Sequence, residues 1–178
     1  MRCGLIGREG DSINAMDSTK ALYIRNIIFG VEDSLVSTVG LLAGIATQTP
    51  RSVILLTGIV YICVEGFSMA VGSFLSEEAT EEYLSRDKVG FKQSIIGSIV
   101  MLFSFILAGL IPIAPYVFIE SKSAIAVSII ASLIALFILG LASGKMSRTG
   151  MISRGLRMAI LAGIAIFIGI MVGKFVGI

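Results

Sequence analysis

Three acidic residues, Glu32, Asp33 and Glu65, interrupt apolar runs long enough to cross a bilayer. An ionised side chain at mid-bilayer costs about 3 kcal/mol on an insertion scale, so carboxylates at such depth point to a use. Asp33 precedes Thr49 by as many residues as Glu65 follows it. In an antiparallel hairpin turning near Thr49 the two share a depth. At ~1.5 Å per residue that depth is roughly 16 Å from the cytosolic end, if the spans start near Leu22 and finish near Ser76. Two carboxylates at one level on adjacent helices repel unless a cation sits between them, and a cation site predicts this arrangement. Met69 follows Glu65 by four residues, on the same helix face and one turn toward the cytosol. Hard carboxylates beside a thioether suit a first-row divalent metal such as Fe²⁺ or Mn²⁺ better than Mg²⁺ or Ca²⁺.

Each residue also has a plainer reading. Met69 is equally a flexible packing residue, as most membrane methionines are. A protonated carboxyl can serve as an interhelical hydrogen-bonding group. Glu32 points about 100° away from Asp33, which weakens its claim to the same site.

The elements that must position these groups are five helices. Of 178 residues, 56% are hydrophobic and 15% charged, where a soluble domain carries about 25% charged. The apolar residues form unbroken blocks rather than stripes, so the expected fold is a single all-α membrane domain. The blocks run Leu22–Thr47, Ser52–Ser76, Ser94–Ile119, Ser123–Ser143 and Leu156–Ile178. Residues 1–21 read as a cytosolic N-terminal tail, 22–178 as the five-helix domain, and 77–93 as an acidic helical link on the cytosolic side. Gln48-Thr49-Pro50-Arg51 makes the first two spans a tight hairpin, Glu120-Ser121-Lys122 is a second short turn, and 144–155 is a basic loop. Pro112 and Pro115 fall near the end of the third span, where lost backbone donors are tolerated.

Charge placement sets the orientation. Arg2, Arg8, Lys20, Arg25, Arg86, Lys88, Lys92, Lys145, Arg148, Arg154 and Arg157 flank the spans on one side, and only Arg51, Lys122 and Lys174 on the other. The positive-inside rule puts the N-terminus in the cytosol and the C-terminus outside.

Several functions are excluded. There is no histidine, which removes His-based zinc sites, His-ligated haem, Ser-His triads and the HExxH motif, and with them the usual routes to an intramembrane enzyme. The net charge of +2 is too small to suggest nucleic acid as a partner. Cys3 and Cys63 lie in the tail and mid-helix, so no disulfide is expected. The first 20 residues are polar and lack an apolar signal-peptide core, so insertion is expected to begin with the first span itself.

Two stretches resemble the vacuolar iron transporter family. Arg25-Asn26-Ile27-Ile28-Phe29-Gly30-Val31-Glu32-Asp33-Ser34-Leu35-Val36-Ser37 is similar to that family's first helix, where an Asp-Gly-Leu core follows an apolar run ending in Gly. Ser68-Met69-Ala70-Val71-Gly72-Ser73-Phe74-Leu75-Ser76 is similar to the Ser-Met-Ala-x-Gly-x-aromatic-Leu-Ser closing its second helix. The resemblance implies a homodimeric exporter of Fe²⁺, often also Mn²⁺, from cytosol to vacuole or cell exterior in exchange for protons. The metal is then a transported substrate, with no permanently bound cofactor. The family's intramembrane Asp and Met map onto Asp33 and Met69. Three departures stand out. The family's Asp-Gly is Asp33-Ser34 here; the family acid two turns before Ser-Met is Tyr61, with Glu65 one turn before it; and most of the three-helix cytosolic metal-binding domain between spans two and three is missing. What survives is Glu77, Glu78, Glu81 and Glu82, stacked in two columns. They read either as an acidic vestibule gathering cations at the cytosolic mouth, or as a solvated helix with acids at its N-terminal end and a Glu82–Arg86 pair.

Metal binding needs deprotonated carboxylates, so metal and proton compete for Asp33 and Glu65, and antiport follows from that competition. A passive divalent-cation channel would use the same acids, and a non-transporting structural or sensor protein would keep them protonated. Gly40 and Gly44, with Gly169, Gly173 and Gly177, fit small-xxx-small interfaces, although glycine is also common in membrane helices generally. A first helix packed on its symmetry mate would bring two copies of Asp33 together on a central path. The expected partners are metal ions, protons, the lipid bilayer and a second copy of the chain. A microbial cell membrane is favoured as the location, with a vacuolar-type membrane as the alternative.

Overall fold

Inside lipid, an apolar run must satisfy its own backbone N–H and C=O groups, and a helix does so within one segment. The computed structural model describes residues 3–46, 48–84, 91–146 and 150–176, with side chains from residue 19 onward except at positions 81, 84, 121 and 122. It contains five helices: α1 (Cys3–Ile45), α2 (Arg51–Leu84), α3 (Phe91–Phe118), α4 (Ser121–Met146) and α5 (Met151–Val176). Each carries a stretch long and apolar enough to cross a membrane, namely Thr19–Ile45, Arg51–Thr80, Phe91–Phe118, Ser123–Met146 and Met151–Val176. Large side chains such as Leu56, Val64, Phe67 and Leu107 stand exposed around the bundle, at more than 60% of their area. In water such a surface would be an aggregation liability, whereas acyl chains solvate it.

Three boundaries differ from the expected ones. α1 starts at Cys3, so the tail continues the first span as one helix. α2 runs on to Leu84 and absorbs the first part of the acidic link. α5 starts at Met151 rather than Leu156, which makes Arg154 a helical residue and not a loop residue. The side chains of Cys3, Arg8, Glu81 and Lys122, together with Arg2, Arg86, Lys88, Arg148 and Gly177, lie outside the described residues.

The tight pairing expected of α1 and α2 is loosened by α3. Both α1 and α2 pack far more extensively on α3 than on each other, and α5 packs chiefly on α4 and α1. Phe105 and Tyr116 of α3, both fully buried, join Leu42, Ile54 and Ile62 in the main core cluster between α1 and α2. A second cluster of Leu35, Ala108, Leu136 and Ala162 ties α1 and α3 to α4 and α5. α1 is the most enclosed span and α5 the least.

Successive helices alternate in direction, and polar contacts mark the two ends. At one end Arg25 of α1 meets Glu77 of α2, and Arg154 of α5 donates to the Ser143 side chain of α4 at 2.8 Å. At the other, Arg51 caps α3 by donating to the Tyr116 carbonyl at 2.5 Å and to the Val117 carbonyl. The cation there satisfies carbonyls that have no partner within the helix. Pro112 and Pro115 lie inside α3, which continues to Phe118, and the Pro112 carbonyl accepts a 2.7 Å bond from Ser128 of α4.

The glycines of α1 meet α5 of the same chain. A Cβ at Gly40 or Gly44 would press on the Ala165 or Gly169 carbonyl, and one at Gly169 or Gly173 would collide with the Gly40 or Gly44 carbonyl. The small-xxx-small pattern is therefore realised within one chain, where only hydrogen side chains let the two backbones cross so closely.

Candidate functional site

α2 carries Tyr61, Glu65, Met69, Ser73 and Glu77 at four-residue spacing, the ridge that a helix presents to a neighbour crossing it. Their partners on α1 run in the opposite order. Tyr61 lies beside Ser37, and Asp33 and Glu65 lie within each other's electrostatic reach. Met69 lines a cleft with Phe29 and Asn26. Glu77 accepts from Asn26 Nδ2 at 3.2 Å, pairs with Arg25 and is approached by Ser73 Oγ at 3.5 Å. The equal spacing of Asp33 and Glu65 about Thr49 is thus part of a longer register, in which Ser37 opposite Tyr61 and Phe29 opposite Met69 are also equidistant from the turn.

Asp33 and Glu65 are half-buried, neither sealed in the core nor turned out to lipid. The Tyr61 phenol lies in the field of both, and its ring packs on Phe105 of α3 at a centroid distance of 6.5 Å. Ser37 Oγ also donates to the Asp33 carbonyl at 2.5 Å, which fixes the hydroxyl one turn from the carboxylate. So the Tyr61 position supplies a neutral hydroxyl, and Glu65 supplies the acid on α2. Neither Ser37 nor the place of Tyr61 beside the two acids follows from the apolar pattern; the four-residue polar ridge on α2 was the available sign.

Below the acid pair, Met69 lines a cleft of about 590 Å³ with Asn26, Phe29, Ser68, Ser73 and Met101. It opens between α1, α2 and α3 toward the end where Arg25 meets Glu77. Two thioethers, the three hydroxyls of Ser68, Ser73 and Ser76, and an amide give it donors without any fixed charge besides Arg25 at its edge.

Glu32 is placed elsewhere. It lines a separate cleft among α1, α4 and α5, within electrostatic reach of Arg154. The four link acids also separate. Glu77 is buried at 6% exposure and held by Arg25, Asn26 and Ser73, whereas Glu78 is half-buried and Glu82 exposed. The side chain of Glu81 and the Arg86 partner of Glu82 lie outside the described residues. Among the described residues no group of three or more His, Cys, Asp or Glu side chains could hold a metal ion.

Five membrane-spanning helices with a carboxylate pair held inside the bundle define a multi-pass membrane protein with an acidic intramembrane site. The VIT family matches residues 24–96 and 86–174, nearly the whole of the described fold, and the chain belongs to that family of membrane metal-ion transporters. It is also similar to the uncharacterized protein MJ0645 of Methanocaldococcus jannaschii, 26% identical over 152 residues that cover 75% of this chain and 80% of that one.

Proposed function

We propose that the protein exports a divalent first-row metal, Fe²⁺ or Mn²⁺, from the cytosol in exchange for protons. The observation that carries this reading is the Asp33–Glu65 pair, two half-buried carboxylates on α1 and α2 within electrostatic reach of each other inside a membrane domain. Two like charges in that setting call for a cation, either a metal ion or protons, and the competition between them is the coupling. Metal enters through the Met69 cleft, loses water to its serine and asparagine groups, and reaches the carboxylates one turn further in. Protons take its place on the return stroke. Glu32 stays outside the ligand set because Arg154 faces it.

The site is completed by a second copy. An apolar groove of about 620 Å³ runs along α1 and α5 and ends at Ser37, one turn from Asp33. A symmetry mate laid in it brings a second Asp33 near the first and raises the donor count beyond what one chain supplies. The basic ends at Lys20, Arg25, Lys92, Lys145, Arg154 and Arg157 face the cytosol, as the positive-inside rule requires. The two family matches overlap at 86–96.

The test is Fe²⁺ or Mn²⁺ uptake into inside-out proteoliposomes with and without an imposed proton gradient. Uptake that rises with an acidic lumen is the expected result. Uptake indifferent to the gradient would show a channel in place of an antiporter.

A further inference from the structure

The cleft that holds Glu32 has a composition unlike the metal cleft. It measures about 610 Å³ and lies between α1, α4 and α5 at the basic end of the bundle. Its polar rim has three guanidinium groups, Arg25, Arg154 and Arg157, against the single carboxylate of Glu32. Its wall is apolar and turned to the surroundings: Ile24, Phe29 and Leu161 are exposed at 37%, 49% and 56%. We infer that this cleft binds an anionic phospholipid, with the headgroup phosphate on Arg154 and Arg157 and the acyl chains along the wall.

The three arginines are not equivalent. Arg25 is committed to Glu77. Arg154 is half-buried and anchored to the Ser143 carbonyl and hydroxyl at 3.3 and 2.8 Å, which fixes its plane while Glu32 offsets part of its charge. Arg157 is exposed and has no hydrogen bond or ion pair among the described residues. An anchored guanidinium beside an uncommitted one is a bidentate phosphate receptor. The first turns of α5, which carry both arginines, add the positive end of its dipole.

Charge and shape together select the occupant. A soluble anion would use the guanidiniums and leave the apolar wall unused. A second copy offering the same basic end would set like charges together. An anionic lipid matches both halves, and basic pockets between helices at the cytoplasmic face are where such headgroups concentrate. Neither Asp33 nor Glu65 lines this cleft, and the arginines that would hold the headgroup stand on α5, although Arg25 and Phe29 are shared with the Met69 cleft.

The test is thermal unfolding of the full-length protein in neutral detergent, titrated with dioctanoyl-phosphatidylglycerol, dioctanoyl-phosphatidylcholine or inorganic phosphate. The expected result is a midpoint raised by a few degrees by phosphatidylglycerol alone. Arg157→Gln should lose most of that shift, and Lys174→Gln, at the opposite end of α5, should keep it. Each variant is compared with its own lipid-free midpoint, so a change in basal stability does not obscure the answer. Equal shifts from both lipids, an equal shift from phosphate, or a full shift in Arg157→Gln would overturn the proposal.

Discussion

Glu32 and Asp33 are neighbours in the chain and both half-buried, yet they point in directions about 100° apart on α1. Asp33 looks toward Glu65 on α2, a like charge, with Tyr61 and Ser37 beside it. Glu32 lies in the field of Asp33 too, but it shares its cleft with Arg154 of α5, an opposite charge. One residue step on a helix turns a side chain by about 100°, enough to change its neighbour from acid to base. Burial alone therefore says little about what an intramembrane carboxylate does. The charge on the facing helix decides whether it still has a cation to find.

The largest effect that would sharpen this contrast is on transport. Asp33→Asn or Glu65→Gln should each lower metal flux in proteoliposomes by at least about 100-fold, since even outer-shell partners of metal sites cost 10–100-fold. The double variant should be no worse than either single one, because the pair works as a unit. Additive losses would instead mean two separate sites.

Next in size is the crossing that sets the angle of α1. Gly169→Leu drives a side chain into the Gly40 carbonyl and should destabilise the fold by about 3 kcal/mol, the upper range for overpacking. Thermal unfolding in detergent would show it, and an unchanged midpoint would mean that α1 and α5 do not meet as described.

On the Glu32 side, Arg154→Gln removes charged hydrogen bonds to Ser143 and should cost about 2 kcal/mol of stability. Metal affinity should stay within about twofold. A large loss of affinity would put Glu32 back among the ligands.

The smallest effect is at Met69. Met69→Leu keeps the volume but removes the sulfur, so Fe²⁺ flux relative to Mg²⁺ should fall only a few-fold while the fold is unaffected. Competition assays in the same vesicles would measure that ratio.

Much of this arrangement was legible in the sequence for definite reasons. Unbroken apolar blocks announce five spans because lipid leaves no other backbone solution. The equal distances of Asp33 and Glu65 from Thr49 announce a shared level because a short turn fixes register. What sequence periodicity did not disclose is which helix stands opposite which. α3 parts α1 from α2, although it is separated from both in the chain. Gly40 and Gly44 read equally well as a surface for a second copy or for α5, and packing chose α5 for the close backbone contacts. Glu77 stood among four link acids with nothing local to single it out, yet α2 continues far enough to carry it inward to Arg25 and Asn26. Such pairings depend on contacts between distant parts of the chain, which neither hydropathy nor helical spacing encodes.

The most direct measurement compares the two neighbouring acids. Mn²⁺ binding to the purified protein in detergent, followed by loss of the free-ion electron paramagnetic resonance signal, should be retained in Glu32→Gln and lost in Asp33→Asn. Binding lost in Glu32→Gln, or kept in Asp33→Asn, would contradict the assignment of the cation to the α1–α2 face.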